Sequence, residues 1–459
     1  MLHRYSMKGI NIVIDVNSGA VHVLDDAAYK LTEFLTAPMC EECPEELYET
    51  MRGKLDRCEI KEAYSELYDL YKHGMLFADD AYIDLETVMP KGAPIKALCL
   101  HVSHDCNLRC KYCFASTGDF GTGRLTMTPE TARRAIDFVI ERSGKRHNIE
   151  VDFFGGEPLM AFDTVRKTVE YAKEQAKLHD KHFRFTITTN GVLLDEQKDA
   201  YINDEMSNVV LSLDGCRETN DKMRKTIDGR GSFDVVAPKF QKLIAGRSKD
   251  KDYYVRGTFT RENLDFVKDI NAFRALGFDQ ISVEPVVAAD GCGYELRRED
   301  LPAIFAEYER LCDEMLACAG TDSDFNFFHF MIDLDQGPCV IKRLRGCGAG
   351  SEYVAITPEG DIYPCHQFVG KAEYKMGNVY DQTFDRDMSD RFASINVYTR
   401  KKCGDCWAKF YCSGGCSAAN LNMSGDINEP YALGCEMERK RIECAIYLKA
   451  ALAARSAQK

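Results

Sequence analysis

The chain has 459 residues, 45% hydrophobic and 29% charged, a composition that fits a folded globular protein of two or three domains and excludes a disordered or collagen-like chain. Its 59 Lys and Arg stand against 73 Asp and Glu, and the net charge of −14 argues against a surface that wraps nucleic-acid phosphates. The anomaly is 20 cysteines. No apolar run approaches the ~18 residues of a membrane helix, so no membrane contact is expected. The opening MLHRYSMKGINIVIDVNSG meets polar residues too early for a signal-peptide core. The expected compartment is the cytoplasm, where thiols stay reduced. So many thiols there point to metal or redox chemistry.

Residues 1–88 read as a small domain. Residues 10–14 and 21–24 are β-rich, with the turn signal Asn17-Ser18-Gly19 between them, which predicts a hairpin. Helical patterns follow at 27–35, 44–51 and 61–73. In the last, Tyr64, Leu67, Tyr68 and Tyr71 share a face and Gly74 supplies the stop. Strands with three short helices suggest a winged-helix-like module. Residues 90–94, PKGAP, read as a linker. Strand-like runs recur at 97–102, 149–154, 183–188, 209–213, 254–259 and 280–285, with helices between them. Thr128-Pro129-Glu130 opens one helix with a cap, a first-turn proline and a carboxylate. Repeated βα units imply a parallel sheet covered by helices, with ligands at the carboxyl ends of the strands. Residues 299–346 read as a helical bridge, 436–452 as a terminal helix and 454–459 as frayed.

Just past the first strand of the βα region lies Cys106-x3-Cys110-x2-Cys113. Three thiolates on one loop suit one face of an iron–sulfur cube and leave its fourth iron open. A zinc knuckle completed by His101 or His104 is the alternative. With Tyr112 before the third cysteine, the array resembles the signature of the radical S-adenosylmethionine (SAM) enzymes. Gly155-Gly156-Glu157-Pro158, after the second strand, looks like that family's GGE motif, which holds the SAM amino group. The resemblance implies that Asn190, Ser212, Asp214 and Arg256 approach the ribose or carboxylate of SAM. Glu284, at the end of the sixth strand, joins these cofactor candidates. Taken as strand-end turns and caps, the same residues would be purely structural.

The C-terminal part carries Cys347-x17-Cys365, then Cys403-x2-Cys406-x5-Cys412-x3-Cys416, then Cys435, with Gly360 five residues before Cys365. This resembles the SPASM domain pattern, whose members hold two auxiliary [4Fe–4S] clusters. The pattern implies that Cys403, Cys406, Cys412 and Cys435 serve one cluster. Cys347, Cys365 and Cys416 would serve the other, with Cys339 as a candidate fourth ligand or an iron left vacant. Two zinc ribbons are the alternative. Cys40-x2-Cys43 has no second pair nearby and reads as a coincidence. Cys312, Cys318 and Cys444 lie on helical patterns and read as core thiols.

Over essentially its whole length, including residues 1–26, the chain is similar to the maturases of six-cysteine (SCIFF) peptides, which form Cys-to-Thr thioethers. The implied fold is α/β: a partial (β/α)6 TIM-like barrel over 89–298, preceded by a winged-helix-like peptide-recognition domain and followed by a loop-rich SPASM domain over 347–459. The implied cofactors are SAM and three [4Fe–4S] clusters. The implied partners are a Cys-rich precursor peptide, bound through its leader as an added edge strand, and an electron donor such as ferredoxin or flavodoxin. Two other functions compete. One is a different SPASM maturase, such as an anaerobic sulfatase-maturing enzyme that oxidises Cys or Ser. The other is a zinc-stabilised winged-helix regulator, against which stand the net charge of −14 and the βα core.

Overall fold

The computed structural model describes residues 1–82, 92–334 and 340–457; the linker residues Pro90 and Lys91 and the candidate ligand Cys339 lie outside the described residues. Strands β1 (Leu2–Met7), β2 (Ile10–Asp15) and β3 (Val21–Leu24) form an antiparallel sheet in that order. The predicted hairpin is β2–β3. β1 is an addition that its polar sequence LHRYSM does not announce. Helices α1 (Asp26–Leu31), α2 (Glu45–Thr50) and α3 (Arg57–Lys72) follow. α3 starts four residues before the pattern at 61 because Asp56 and Glu59 form a capping box. Alternation along β2 buries both of its faces. Val13 joins Leu31, Ile60 and Leu67 of the helices, while Ile12 and Ile14 join the core of the main body. The module therefore shares its core with the rest of the chain.

The βα region runs through β4 (Ala97–Ser103), β5 (Leu108–Cys110), α4 (Pro129–Arg142), β6 (Asn148–Gly155), α5 (Phe162–His179), β7 (His182–Thr189), α6 (Glu196–Glu205) and β8 (Asn208–Ser212). It continues with α7 (Arg217–Met223), β9 (Arg224–Thr226), α8 (Phe233–Ala245), β10 (Asp252–Phe259), α9 (Phe266–Ala275) and β11 (Gln280–Pro285). β4, β6, β7, β8, β10 and β11 are the expected strands, each parallel to the next. β6 alternates: Val151 and Phe153 are fully buried in the helix-covered core, whereas Phe154 lines the cavity on the inner face. α4 begins as expected, with Thr128 Oγ1 accepting from the Thr131 amide at 3.1 Å.

The expected bridge is only partly helical. α10 (Leu301–Cys318) is followed by β12 (Asn326–Phe327), which pairs parallel with β11 and extends the sheet. Beyond α11 (Val340–Arg345), β13 (Tyr353–Ile356) pairs parallel with β4 at the other edge. β14 (Asp361–Tyr363), β15 (Gly377–Asn378) and β16 (Thr383–Phe384) continue outward, so the C-terminal region completes an 11-stranded sheet. After α12 (Arg386–Ala393), α13 (Lys409–Cys412) and α14 (Ser417–Ser424), helix α15 spans Ala432–Ala457. The segment expected to fray from 454 is helical to 457, held by Arg455 Nη1 donating to the Leu316 carbonyl of α10. Cys312, Cys318 and Cys444 are buried core thiols, as expected. Among the described residues no helix is long and apolar enough to cross a membrane.

Candidate active site

At the carboxyl ends of the parallel strands lies a cavity of about 220 Å³. Cys106, Cys110 and Cys113 line it, with Tyr112 between the last two. The strand ends add Gly155, Gly156, Glu157, Asn190, Ser212, Arg256 and Glu284. The cysteine loop packs so tightly on the β6 end that a Cβ on Gly156 would sit 2.6 Å from the Asp105 carbonyl carbon and 2.8 Å from Gly118 O.

The polar groups divide into those that face the cavity and those that hold the wall. Glu157 holds the wall. Its carboxylate accepts from the Leu159 amide (3.0 Å), Thr189 Oγ1 (2.7 Å) and the Asn190 amide (2.8 Å). Asn190 Nδ2 donates to Asn107 Oδ1 at 2.8 Å and to Cys106 Sγ at 3.5 Å, tying β7 to the cysteine loop. Arg256 and Glu284, on neighbouring strands, form an ion pair that includes a 3.1 Å bond from Nε to Oε1. Burial would raise the Glu284 carboxyl, but the Arg256 guanidinium outweighs it and brings the pKa down to about 2.

Asp214 is brought close but not into the wall. It is 3% exposed, accepts from Tyr112 Oη at 2.5 Å and from the Thr258 amide at 3.1 Å, and acts on the site through Tyr112. Sequence reasoning missed Arg224. β5 and β9 pair antiparallel with Cys110 opposite Arg224, whose Nη1 donates to Tyr112 Oη at 3.0 Å. Only this long-range pairing places it in the cavity wall. His366, with Phe114 and Phe154 at 5.5 and 5.0 Å from its ring, was also missed as a wall residue.

The donor set fits an iron–sulfur group. Burial pushes Cys106 up to about 12 and Cys110 up to about 11. All three thiols of the loop line the one cavity, as ligands to one face of a cube must. Among the described residues no three His, Cys, Asp or Glu side chains converge on a single-ion site; the thiols of a cube are spread over different irons.

The C-terminal cysteines gather in two sets. Burial, then the charges of Cys435 and Cys406, push Cys403 up to about 11. Burial, Glu438 and then Cys435, Cys403 and Cys406 raise Cys412. Cys365 is raised by burial and then by Cys416 and Cys347. Cys40, exposed, and Cys43 join neither set.

Residues 100–282 match the radical SAM superfamily, and residues 347–407 match the iron–sulfur cluster-binding SPASM domain. The chain is 25% identical over 354 residues to the radical SAM cyclopropyl synthase TigE of Paramaledivibacter caminithermalis, covering 73% of this chain and 71% of that protein. It is 28% identical over 345 residues to the mycofactocin maturase MftC of Mycobacterium ulcerans (74% and 87%). The fold is similar to that of native anSMEcpe with bound AdoMet, at a TM-score of 0.63 and 20% identity over 78% of this chain and 99% of that one. It is also similar to that of Streptococcus suis SuiB bound to S-adenosylmethionine, at 0.53 and 17% identity over 94% and 98%. The chain therefore carries a radical SAM domain, whose cofactors are SAM and a [4Fe–4S] cluster, joined to a SPASM domain that binds further iron–sulfur clusters.

Proposed function

We propose that the chain is a peptide maturase that forms intramolecular Cys-to-Thr thioethers in a ribosomally made, Cys-rich precursor peptide of the SCIFF type. The observation that carries this is that neighbouring residues, Cys365 and His366, belong to two thiol sites. Cys365 is the residue just before the helical turn that opens at His366, so the two side chains leave adjacent backbone positions. Cys365 lies with Cys347 and Cys416, while His366 lines the cavity that holds Cys106, Cys110 and Cys113. In this reading a substrate thiol held at the Cys347–Cys365–Cys416 site would meet a substrate carbon presented in the cavity. The net reaction moves one hydrogen atom from that carbon to 5′-deoxyadenosine and releases the thiol proton. SAM, cleaved to methionine and 5′-deoxyadenosine, would be the two-electron oxidant, the electron left on C–S bond formation returning to the clusters.

In this proposal Cys106, Cys110 and Cys113 hold the first cluster, and Cys403, Cys406, Cys412 and Cys435 hold the second. Cys347, Cys365 and Cys416 hold the third, leaving one iron for a substrate thiolate or for Cys339. SAM and its cluster, when bound, supply a 5′-deoxyadenosyl radical that abstracts hydrogen from carbon. The Gly155-Gly156 backbone would take the SAM amino group, and Ser212 and Arg256 its polar remainder. Phe114, Phe154, Val286 and Val287 give the cavity an apolar side that excludes water. The leader would add to β3, an edge strand of the N-terminal sheet, where Val23 is 57% exposed. A peptide substrate is further supported by the relatives: one anSMEcpe structure holds AdoMet with the Kp18Cys peptide.

The test incubates anaerobically purified protein with SAM, reduced flavodoxin or ferredoxin, and a leader-bearing Cys-rich peptide. The expected product has lost two hydrogens per crosslink and has lost alkylatable thiols in step. An aldehyde at Cys or Ser without a crosslink would instead assign a sulfatase-maturing type of oxidation. Three clusters predict about 12 iron per chain; zinc without sulfide would overturn the proposal.

A further inference from the structure

The two thiol sets of the C-terminal region share one charged side chain. Arg400 is 3% exposed. Its Nη1 donates to Gly414 O and, at 3.3 Å, to Gly415 O, and its Nη2 donates to Ser417 Oγ at 2.7 Å. The loop is shaped to it, since a Cβ on Gly414 would sit 2.7 Å from Arg400 Cδ. The remaining nitrogen, Nε, is buried and has no partner. The strongest electrostatic neighbours of the guanidinium are four thiols and no carboxylate: Cys403 and Cys412 from one set, Cys416 and Cys347 from the other. A buried cation with a spare donor and no counter-anion is costly. Thiolates and sulfides on both sides would offset that cost. Arg439 bonds Cys406 of one set, and Arg224 lies by Cys110 of the first loop.

We infer that Arg400 is the shared counter-cation of the two auxiliary clusters, its Nε donating to cluster or cysteine sulfur and its charge holding both reduction potentials up. The inference rests on the ligand sets given under Proposed function. The sign follows from electrostatics. The reduced cluster is the more negative state, so a nearby cation stabilises it, and hydrogen bonds to sulfur act in the same direction. A cation common to both clusters stays close to an electron whichever cluster holds it. Arg400 is thus a positioning residue; a residue that merely clamped the loop would leave the potentials alone.

The experiment is an EPR-monitored redox titration of anaerobically reconstituted, full-length wild type, Arg400→Gln and Arg400→Lys. The expected result is a downward shift of both auxiliary midpoints in Arg400→Gln, most of it restored in Arg400→Lys, with the Cys106–Cys110–Cys113 cluster unmoved. Wild type labelled with [15N]arginine provides a second measurement that needs no variant to fold. Pulsed EPR should resolve a nitrogen coupling on both reduced auxiliary clusters; one confined to the set with Cys406, where Arg439 also lies, would not be that of Arg400. Unshifted midpoints in Arg400→Gln, a shift confined to one cluster, or no nitrogen coupling in the labelled wild type each overturn the inference. Wild type that loads iron for one cluster only would remove the ligand sets themselves, a failure distinct from three loaded clusters with unmoved potentials.

Discussion

Lys409 Nζ donates to Asp80 Oδ2 at 2.8 Å, joining the end of the N-terminal module to the helix between Cys406 and Cys412. The two side chains are 4% and 15% exposed. Tyr398 Oη donates to the other carboxylate oxygen at 2.5 Å. Burial would raise the Asp80 carboxyl, but Lys409 and Tyr398 hold it below its ordinary range. Nearby, His3 of β1 stacks on Trp407 with centroids 3.7 Å apart. Asp80→Ala strands a buried ammonium and should cost about 3–5 kcal/mol. Asp80→Asn keeps an acceptor and should cost less. Anaerobic denaturant titration checks both, and a loss well under 1 kcal/mol in Asp80→Ala would contradict the seam. Because Ile12 and Ile14 belong to the main core, deleting the module would confound recognition with folding; substitutions on the outer edge of β3 separate them.

Gly156→Ala should abolish SAM cleavage. The added methyl meets the Asp105 and Gly118 backbone, which cannot give without moving Cys106. The control is Gly53→Ala, where φ is +78° and no atom lies within 4 Å of the added carbon. There only backbone strain of about 1–2 kcal/mol is expected. Deoxyadenosine formation and melting temperature are the measurements; retained cleavage in Gly156→Ala would show that the junction yields.

The Tyr112–Asp214–Arg224 triad separates cavity-facing from wall-holding residues. Arg256→Gln and Ser212→Ala change the cavity lining and should weaken SAM binding about tenfold, or about 1.4 kcal/mol. Tyr112→Phe removes the hydroxyl that bonds both buried Asp214, which keeps the Thr258 amide, and Arg224, and should cost about 1–3 kcal/mol of stability. Its effect on SAM affinity should be smaller than that of Arg256→Gln. Equilibrium dialysis beside thermal unfolding decides the order.

Acid should destabilise the fold through His329, which lies beside Ser282 Oγ at 3.2 Å and Glu284 Oε1 at 4.0 Å. Burial, then the like charge of Arg441, holds its pKa down at about 3. An unfolded histidine titrates near 6.5. As pH falls below about 6.5 the unfolded state gains a proton that the folded state refuses, so stability drops by about 1.4 kcal/mol per pH unit until about pH 3. Glu284, lowered to about 2, adds a contribution that is present above about pH 4.3 and is lost as pH falls toward 2. Denaturant midpoints at pH 7, 6 and 5 should fall in wild type and fall less steeply in His329→Gln. Equal slopes would rule this group out.

What the sequence determined by itself is local in origin. The six strands follow from short apolar runs with turn signals, and the α4 cap from three consecutive residues. The three-cysteine loop, Gly155-Gly156 and the strand-end polar residues came to one cavity because parallel βα units place all carboxyl ends on the same side. What only the tertiary structure decided depends on pairs distant in sequence. Pairing across more than a hundred residues puts Arg224 and Asp214 on Tyr112, Asp214 from behind the wall, and lets β13 extend the barrel sheet beside β4. The Asp80–Lys409 seam and the place of Arg400 between two thiol sets arise the same way. Arg224, Asp214, Asp80, Lys409 and Arg400, read along the chain, are ordinary charged side chains in loops or short elements. The role of each appears only when folding removes water from around it and leaves it facing one particular partner.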